Sequence, residues 1–324
     1  MSKKILVILS LLISLTFMFT GCASKQANVK KFPTKQITLV VQANPGGLSD
    51  QISRTLGDIM QKDLNSPVIC VYKAGGSGAV GMSFVKGSAA DGYTIGHGPV
   101  ELTMLKALGY SDIQPDDFTL IGRAYTTLPA ITVQADSQWK TIEEFMEYAK
   151  NNPSKIRMGN AGTGSIWDLA SIGLEQKAGI KFNHIPFDGA APSIAALMGG
   201  HIDAVVSAPM EVMSGVKGGK LRVLAVMGDK RSESFPDVPT LKEKGVDYAM
   251  VQWGGFIAPK NLPADVQATL EKSFEKAVNS DEFKKFTSER GIEASYLSSK
   301  DFQTFAKTQV DIFSELIQKA GIKK

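Results

Sequence analysis

Cysteine and histidine are scarce in this sequence, which has two cysteines and three histidines among 324 residues. Cys22 follows an N-terminal apolar run and Cys70 lies inside a second apolar run, so neither a disulfide framework nor a CxxC metal pair is possible. The histidines show no metal-ligand spacing. We therefore expect no metal site, and we expect Cys70 to be a core residue.

Motifs of the common enzyme classes are also missing. The sequence has no GxSxG, GxxxxGK[ST] or HExxH pattern, and nothing in it assembles a nucleophile with a base. The charge is nearly balanced, with 36 Lys and Arg against 32 Asp and Glu. This balance argues against a dedicated nucleic-acid surface. We expect no catalytic residue, no cofactor and no nucleic-acid partner.

The N-terminus contains a long apolar run. Two lysines precede the run over residues 5–19, and Cys22 follows it. The run is shorter than the roughly 20 residues that span a bilayer, so it predicts a secretory signal peptide over residues 1–21. Its end resembles a bacterial lipobox, which implies lipidation of Cys22 and an extracytoplasmic protein that is lipid-anchored to a bacterial membrane. The polar residues 22–31 would form the lipidated tether. A plain signal peptide or an uncleaved anchor is the alternative.

The body of the chain, from residue 32, alternates short β-branched runs with segments of helical period. This alternation predicts βα units, a mainly parallel sheet and an α/β fold, and the length suggests two domains. The C-terminal part is strongly helical. Thr141 and Glu144 form a capping box that predicts the start of a helix. Three predicted strands run into glycine-rich loops at residues 44–50, 75–81 and 159–165.

The first and third loops are candidate anion sites, because open α/β sheets bind ligands beyond the carboxyl ends of their strands. Glycine permits close backbone approach, and the following helix N-terminus favours an anion. Neither loop contains Lys or Arg. A carboxylate would be held there by backbone amides, by the hydroxyls of Ser49, Thr163 and Ser165, and by water. Ordinary tight turns are the alternative.

The second loop matches GxGxxG at residues 76–81. A dinucleotide site would place this fingerprint in the first βαβ unit, with an acidic residue about 20 positions further on. Here the loop follows the second strand, and Asp91 belongs to an Asp-Gly turn. A nucleotide site is therefore disfavoured.

Two further polar groups have open interpretations. His97 follows a predicted strand end, where it could contact a ligand or be a satisfied loop histidine. Asp50 and Arg54 are four residues apart on one predicted helix, which favours an ion pair over catalysis.

Several short blocks occur in a fixed order along the chain. They are PGGLSD (45–50) with Arg54, GGSGAVG (75–81), DGYT (91–94), GTGS (162–165), GAAP (189–192), GGHID (199–203), GGKLR (218–222) and PDVPT (236–240). In this order, over residues 32–322, they resemble the extracytoplasmic solute receptors of tripartite tricarboxylate transporters, the Bug family.

The resemblance implies a type II periplasmic-binding-protein fold, with two lobes joined by crossovers and a ligand cleft between them. Lobe one would be residues 32–129 and 254–324, and lobe two residues 130–253. The implied partners are a small carboxylate or amino-acid-like ligand and the large and small membrane subunits of a transporter, with a monomeric receptor. The expected ligand-binding residues are Pro45, Gly46, Gly47, Leu48, Ser49, Asp50, Gly76, Ser77, His97, Gly162, Thr163, Gly164, Ser165, Asp168, Phe187, Asp188 and Ser207.

Two departures from the family pattern concern charge. Asp168 follows the third loop where the family commonly has histidine nearby, and Phe187-Asp188 stands where a tyrosine and a cation are common. Acidic groups near the cleft argue against a tricarboxylate and favour an amino acid, a monocarboxylate or a neutral solute. The alternative is that Asp168 only favours the helix start and Asp188 points to solvent. A ligand-presenting sensor and an exported enzyme are the other functional classes to be tested.

Overall fold

Two mixed sheets form the framework of the computed structural model, which describes residues 31–322. Its strands are β1 (Ile37–Val41), β2 (Val68–Tyr72), β3 (Thr94–Pro99), β4 (Phe118–Thr127), β5 (Ala130–Gln134), β6 (Arg157–Asn160), β7 (Asn183–Pro186), β8 (Ala204–Ser207), β9 (Leu221–Val226), β10 (Gln252–Pro259) and β11 (Glu293–Ser298). One sheet has the order β11-β4-β10-β3-β1-β2, and the other has the order β7-β6-β8-β5-β9. The predicted signal peptide over residues 1–21 and residues 22–30 of the predicted tether lie outside the described residues.

The helices follow the βα pattern. They are α1 (Leu48–Leu64), α2 (Ala79–Lys86), α3 (Ile142–Asn151), α4 (Ile166–Ala178), α5 (Ala190–Met198), α6 (Pro209–Lys217), α7 (Ala264–Asn279), α8 (Asp281–Ser288) and α9 (Ser299–Ala320). The predicted capping box is confirmed at α3, where Thr141 accepts from the Glu144 N–H and the Glu144 carboxylate accepts from the Thr141 N–H.

The prediction of a mainly parallel sheet is wrong. β1 pairs in parallel with β2 and β3, and β6 does so with β7 and β8, but β10 and β5 run antiparallel to both of their neighbours. The chain leaves the first sheet between Thr127 and Ala130 and returns between Val226 and Gln252. β5 and β10 begin directly after a crossover, at the sheet edge where the parallel strands of their lobe end. They therefore run in the direction opposite to those parallel strands.

The two crossovers are what the lobe hypothesis requires, while its boundaries at residues 129/130 and 253/254 stay a prediction. Trp253, next to the second boundary, is fully buried. Its ring meets the edges of Phe302 and Phe305 on α9, with ring centroids 5.4 and 5.3 Å apart. The C-terminal helix therefore packs on the strands at the crossovers.

Within residues 31–322, none of the helices combines the length and the apolar character that a bilayer crossing requires.

Candidate ligand-binding cleft

The glycine-rich loops lie at two facing sheet edges. Because β1, β2 and β3 are parallel, the segments that follow them share one edge of the first sheet. The segments after β6, β7 and β8 share one edge of the second sheet. The Tyr110 hydroxyl, on the segment after β3, donates to the Thr163 carbonyl after β6 at 2.8 Å. The two carboxyl-end edges thus face each other across a cleft.

Two more contacts cross this cleft. The Ile166 N–H, at the start of α4, donates to the Glu101 carboxylate at 3.4 Å. A side chain at Gly164 would meet Leu108, because its Cβ would lie 2.9 Å from a Leu108 methyl. Burial raises the pKa of Glu101 above its ordinary value.

Asp50 shapes the first loop from within. It is fully buried and accepts from the Gly46 N–H at 2.6 Å, from the Tyr72 hydroxyl at 2.7 Å and from Arg54. The predicted ion pair with Arg54 is confirmed. Because its oxygens are occupied by three protein donors, Asp50 supports the loop and does not present its charge to a ligand, contrary to its place among the expected ligand-binding residues.

The start of α1 is the open part of the first loop. Gly47 is the N-cap and supplies no side chain, so the first N–H groups of α1 are not capped. A Cβ at Gly46 or Gly47 would meet nothing within 4 Å, and Gly46 has a φ of +95° that favours glycine. Ser49 is half-buried on the first turn, whereas Leu48 is buried and Pro45 has no N–H.

The loop after β6 has the same aspartate-to-glycine hydrogen bond as the first loop, but more of its backbone N–H groups are occupied by protein acceptors. Asp168 accepts from the Gly164 N–H at 2.9 Å, as Asp50 does from Gly46, four residues apart in both cases. Here, however, Ser165 caps the helix by accepting from the Asp168 N–H. The Gly162 N–H donates to the Asn160 side chain. Thr163 is left as the member of this loop best placed to contact a ligand.

Asp168 is not free to receive an ammonium group. It is 3% exposed, and its carboxylate also accepts from the Asn160 amide at 2.8 Å and pairs with His184 at 3.0 Å. The structure therefore gives Asp168 the role of stabilising the loop and the helix start. Asp188 is exposed after β7, and Phe187 is half-buried beside Gly162.

His184 is a site-supporting residue that the sequence did not indicate. It lies between Asp168 and Glu175, with ring nitrogens 3.0 and 3.1 Å from their oxygens. Burial alone would lower the pKa of His184, but the hydrogen bonds and charges of the two carboxylates outweigh it and raise the pKa to about 9. The imidazolium thus neutralises acidic charge behind the third loop. An alternation of carboxylates and one histidine over residues 168–184 is too weak a pattern to predict it.

His97 is not a loop residue at the cleft. It lies within β3, is 1% exposed and uses both ring nitrogens, one toward Gln42 at 3.1 Å and one toward Tyr125 at 3.3 Å. Burial lowers its pKa to about 3. The expected ligand contact is therefore corrected: the ring is satisfied by protein groups.

The glycines of the GxGxxG motif are required by packing. A Cβ at Gly78 would lie 2.9 Å from Gln42, and one at Gly81 would lie 2.8 Å from Gln42 and 2.9 Å from the Lys73 carbonyl. Gly76 and Ser77 form a short turn between β2 and α2, both with positive φ. The loop thus fixes Gln42, the residue that follows β1.

Ser207 ends β8 at the cleft edge of the second sheet. It is fully buried, and its hydroxyl has no hydrogen-bond partner. Cys70, which we expected to be a core residue, is half-buried on β2. Among the described residues, no group of three histidine, cysteine or acidic side chains is arranged to hold a metal ion.

Two α/β lobes whose strand ends face each other across a cleft define a bilobal solute-binding protein. The chain belongs to the tripartite tricarboxylate transporter family of receptors, whose family model matches residues 52–322. The resemblance found in the sequence and the two-lobed α/β fold are thereby confirmed. The family is one of solute-binding receptors and not of enzymes.

Individual relatives agree over nearly the whole chain. A UPF0065 protein of Cupriavidus necator is 32% identical over 302 residues, covering 92% of this chain and 91% of the relative. A TctC solute-binding protein from Polaromonas is 35% identical, with a TM-score of 0.71, covering 89% of this chain and all of that one. The periplasmic binding protein BugD is 28% identical, with a TM-score of 0.84, covering 90% of this chain and all of that structure.

Proposed function

We propose that this receptor captures a small carboxylate-bearing metabolite outside the cytoplasm and delivers it to the large and small membrane subunits of a tripartite tricarboxylate-type transporter. The proposal extends the family assignment to a ligand class and a partner. Hinge closure between the lobes would enclose the ligand and create the surface that the transporter recognises.

The observation that carries the ligand class is the open N-terminus of α1. Backbone N–H groups and the positive end of the helix dipole there lack a side-chain cap, and Ser49 adds a hydroxyl. The helix α5, which starts behind Gly189 on the opposite lobe, also has no side-chain cap. The loops 44–50, 159–165 and 187–190 contain no Lys or Arg. Main-chain groups and hydroxyls would therefore hold the carboxylate, and one or two carboxylates suit such a site better than three.

The test is the identity and affinity of the solute. The protein is purified from cells and denatured to release its bound solute. We expect mass spectrometry to identify that solute as a carboxylic acid. Calorimetry with malate, succinate, adipate and aspartate should then show binding of one acid class. Recovery of a neutral solute, together with no binding of any acid, would contradict the proposal. Uptake of the bound acid should fail in cells that lack this receptor.

Gly47→Val is expected to weaken acid binding by at least tenfold while leaving the fold intact. Gly47 has an ordinary negative φ and its Cβ would point into open space, so the valine side chain fills the volume where the carboxylate must approach α1. Gly87→Val is the matched control, because Gly87 also has a negative φ and is exposed at the far end of α2. Equal affinities in the two variants would show that the loop is only a turn.

Cys22 is proposed as the lipid anchor, from the lysine, apolar-run and cysteine order. Cys22→Ala should block lipidation and either stop processing or release the protein from the membrane, as seen by fractionation and by intact-mass measurement. Cys70→Ala is the control, because this half-buried thiol lies in the folded body. Normal processing and unchanged membrane association of Cys22→Ala would rule the anchor out.

A further inference from the structure

A buried row of side chains leads from the candidate carboxylate site to the strands at the crossovers. The Gln42 amide donates to the Ser49 hydroxyl oxygen at 3.0 Å, and the Gln42 carbonyl lies 3.1 Å from His97 Nδ1. His97 Nε2 lies 3.3 Å from the Tyr125 hydroxyl, to which the Gln252 amide donates at 3.2 Å. Gln42, His97, Tyr125 and Gln252 are all buried.

The direction of these bonds is determined once one member is fixed. With the Gln42 carbonyl facing the imidazole, Nδ1 must carry the ring proton and donate it. Nε2 is then an acceptor, so the Tyr125 O–H donates to it and the Tyr125 oxygen accepts from Gln252. At the other end, Ser49 accepts from Gln42 and its own proton remains available.

We propose that Gln42, His97, Tyr125 and Gln252 form a one-way hydrogen-bond relay that fixes Ser49 as a donor toward the ligand. His97 is then a positioning residue and not a ligand contact. The inference rests on the proposed function, since it makes Ser49 select an acceptor oxygen, such as that of a carboxylate, at the start of α1.

The opposite direction would give the site the opposite preference. If Gln42 were turned over, Ser49 would donate to the Gln42 carbonyl and could offer a ligand only lone pairs. These would favour an ammonium or a hydroxyl donor at a helix end whose dipole favours anions. With Gln42 donating to Ser49, both the serine hydroxyl and the N-terminus of α1 favour an acceptor oxygen of the ligand.

The surroundings hold the relay in place. Gly78 and Gly81 pack directly on Gln42, as described above. A Cβ at Gly254 would lie 2.6 Å from the Tyr125 hydroxyl and 2.8 Å from His97 Nε2, so the backbone of β10 packs directly against these two side chains. The imidazole stays neutral because burial lowers its pKa to about 3, which leaves one donor and one acceptor nitrogen.

The relay also connects the ligand loop to the crossovers. Tyr125 is near the end of β4, the last strand before the chain enters the second lobe. Gln252 is the first residue of β10, the strand that returns from it. Rotation of these strands during lobe movement would therefore change the hydrogen bonds that orient the Ser49 hydroxyl.

The decisive test is the tautomer of His97 in the wild-type protein. In protein labelled with 15N-histidine, a long-range 1H–15N correlation spectrum should show a neutral ring with its proton on Nδ1, and the His97→Gln variant assigns the signals. Tyr125→Phe should shift the Nε2 resonance and leave the proton on Nδ1, because Gln42 still accepts it. A proton on Nε2, or a doubly protonated ring near neutral pH, would overturn the relay.

The second arm measures the consequence at Ser49. With whichever of malate, succinate, adipate and aspartate binds the wild type, Ser49→Ala should weaken binding five- to twentyfold and Ser49→Thr should restore most of the loss. Unchanged affinity in Ser49→Ala would show that the hydroxyl does not donate to the ligand. If the protein releases a neutral solute and none of the four acids binds, the proposed function is contradicted, while the tautomer still decides the relay.

Discussion

Asp50→Ala should destabilise the protein by about 1–3 kcal/mol and remove high-affinity binding of the ligand. The substitution leaves the half-buried Tyr72 hydroxyl and the Gly46 N–H without their acceptor, while Arg54, whose side chain is 53% exposed, can turn to water. The cost therefore comes from unsatisfied donors more than from the ion pair. Loss of the Gly46 contact also releases the loop that positions the start of α1.

Urea unfolding and calorimetry with the acid identified above measure the two effects. Asp58→Ala is the matched control, because Asp58 is exposed on the same helix, and a change within about 0.5 kcal/mol is expected there. If Asp50→Ala is as stable and binds as well as Asp58→Ala, the carboxylate does not hold the first loop.

Local sequence patterns predicted the local structure well. α3 begins at its capping box, and β1 and β6 run into the first and third glycine loops, which lead into α1 and α4. These features depend on residues within one or two helical turns, and their periodicity and capping chemistry are visible in the sequence.

Strand direction and strand extent were harder to predict. β3 extends to Pro99, and its last four residues pair with β10. A Cβ at Gly96 would lie 2.6 Å from Val85 and one at Gly98 would lie 2.5 Å from Ile257, so packing requires glycines that a sequence reader takes for a loop. β11 was not predicted, since its segment Glu293–Ser298 is polar and only half-buried at a sheet edge. The antiparallel strands follow from the crossovers, which no local period encodes.

The site was predicted by position but not by role. Asp50 and Asp168 lie where the motifs place them, whereas His97 lies within β3 and not after it. All three form hydrogen bonds with protein groups. Their partners are distant in sequence: His97 meets Gln42 across 55 residues, and Asp168 meets His184 across 16. Pairings of this kind are decided by packing between segments that are distant in sequence, which no local pattern encodes.

The charged cluster of His184, Asp168 and Glu175 behind the third loop should make stability depend on pH. His184 has a folded-state pKa of about 9 against an ordinary value of 6.5, because Asp168 and Glu175 hold its proton. A raised pKa means that the stabilisation is fully present below about pH 6.5 and is lost as the pH rises through about 9. The free-energy difference between wild type and His184→Gln should therefore shrink by about 1–2 kcal/mol from pH 7 to pH 9, because the full pKa shift corresponds to about 2 kcal/mol over this range and solvent screens the partly exposed ring.

Comparing wild type with the variant isolates His184 from the other groups that titrate nearby. Burial raises the pKa of Glu211 to about 7 and that of Cys70 to about 11, but both contributions are common to the two proteins and cancel in the difference. His201→Gln is the control, because His201 is exposed and lies outside this cluster, and a change in stability within about 0.5 kcal/mol is expected at pH 7. A wild-type and His184→Gln difference that stays constant over this range would mean that His184 is not held as an imidazolium. Asp168 and Glu175 would then have no cationic partner in His184, which contradicts the neutralisation of acidic charge behind the third loop.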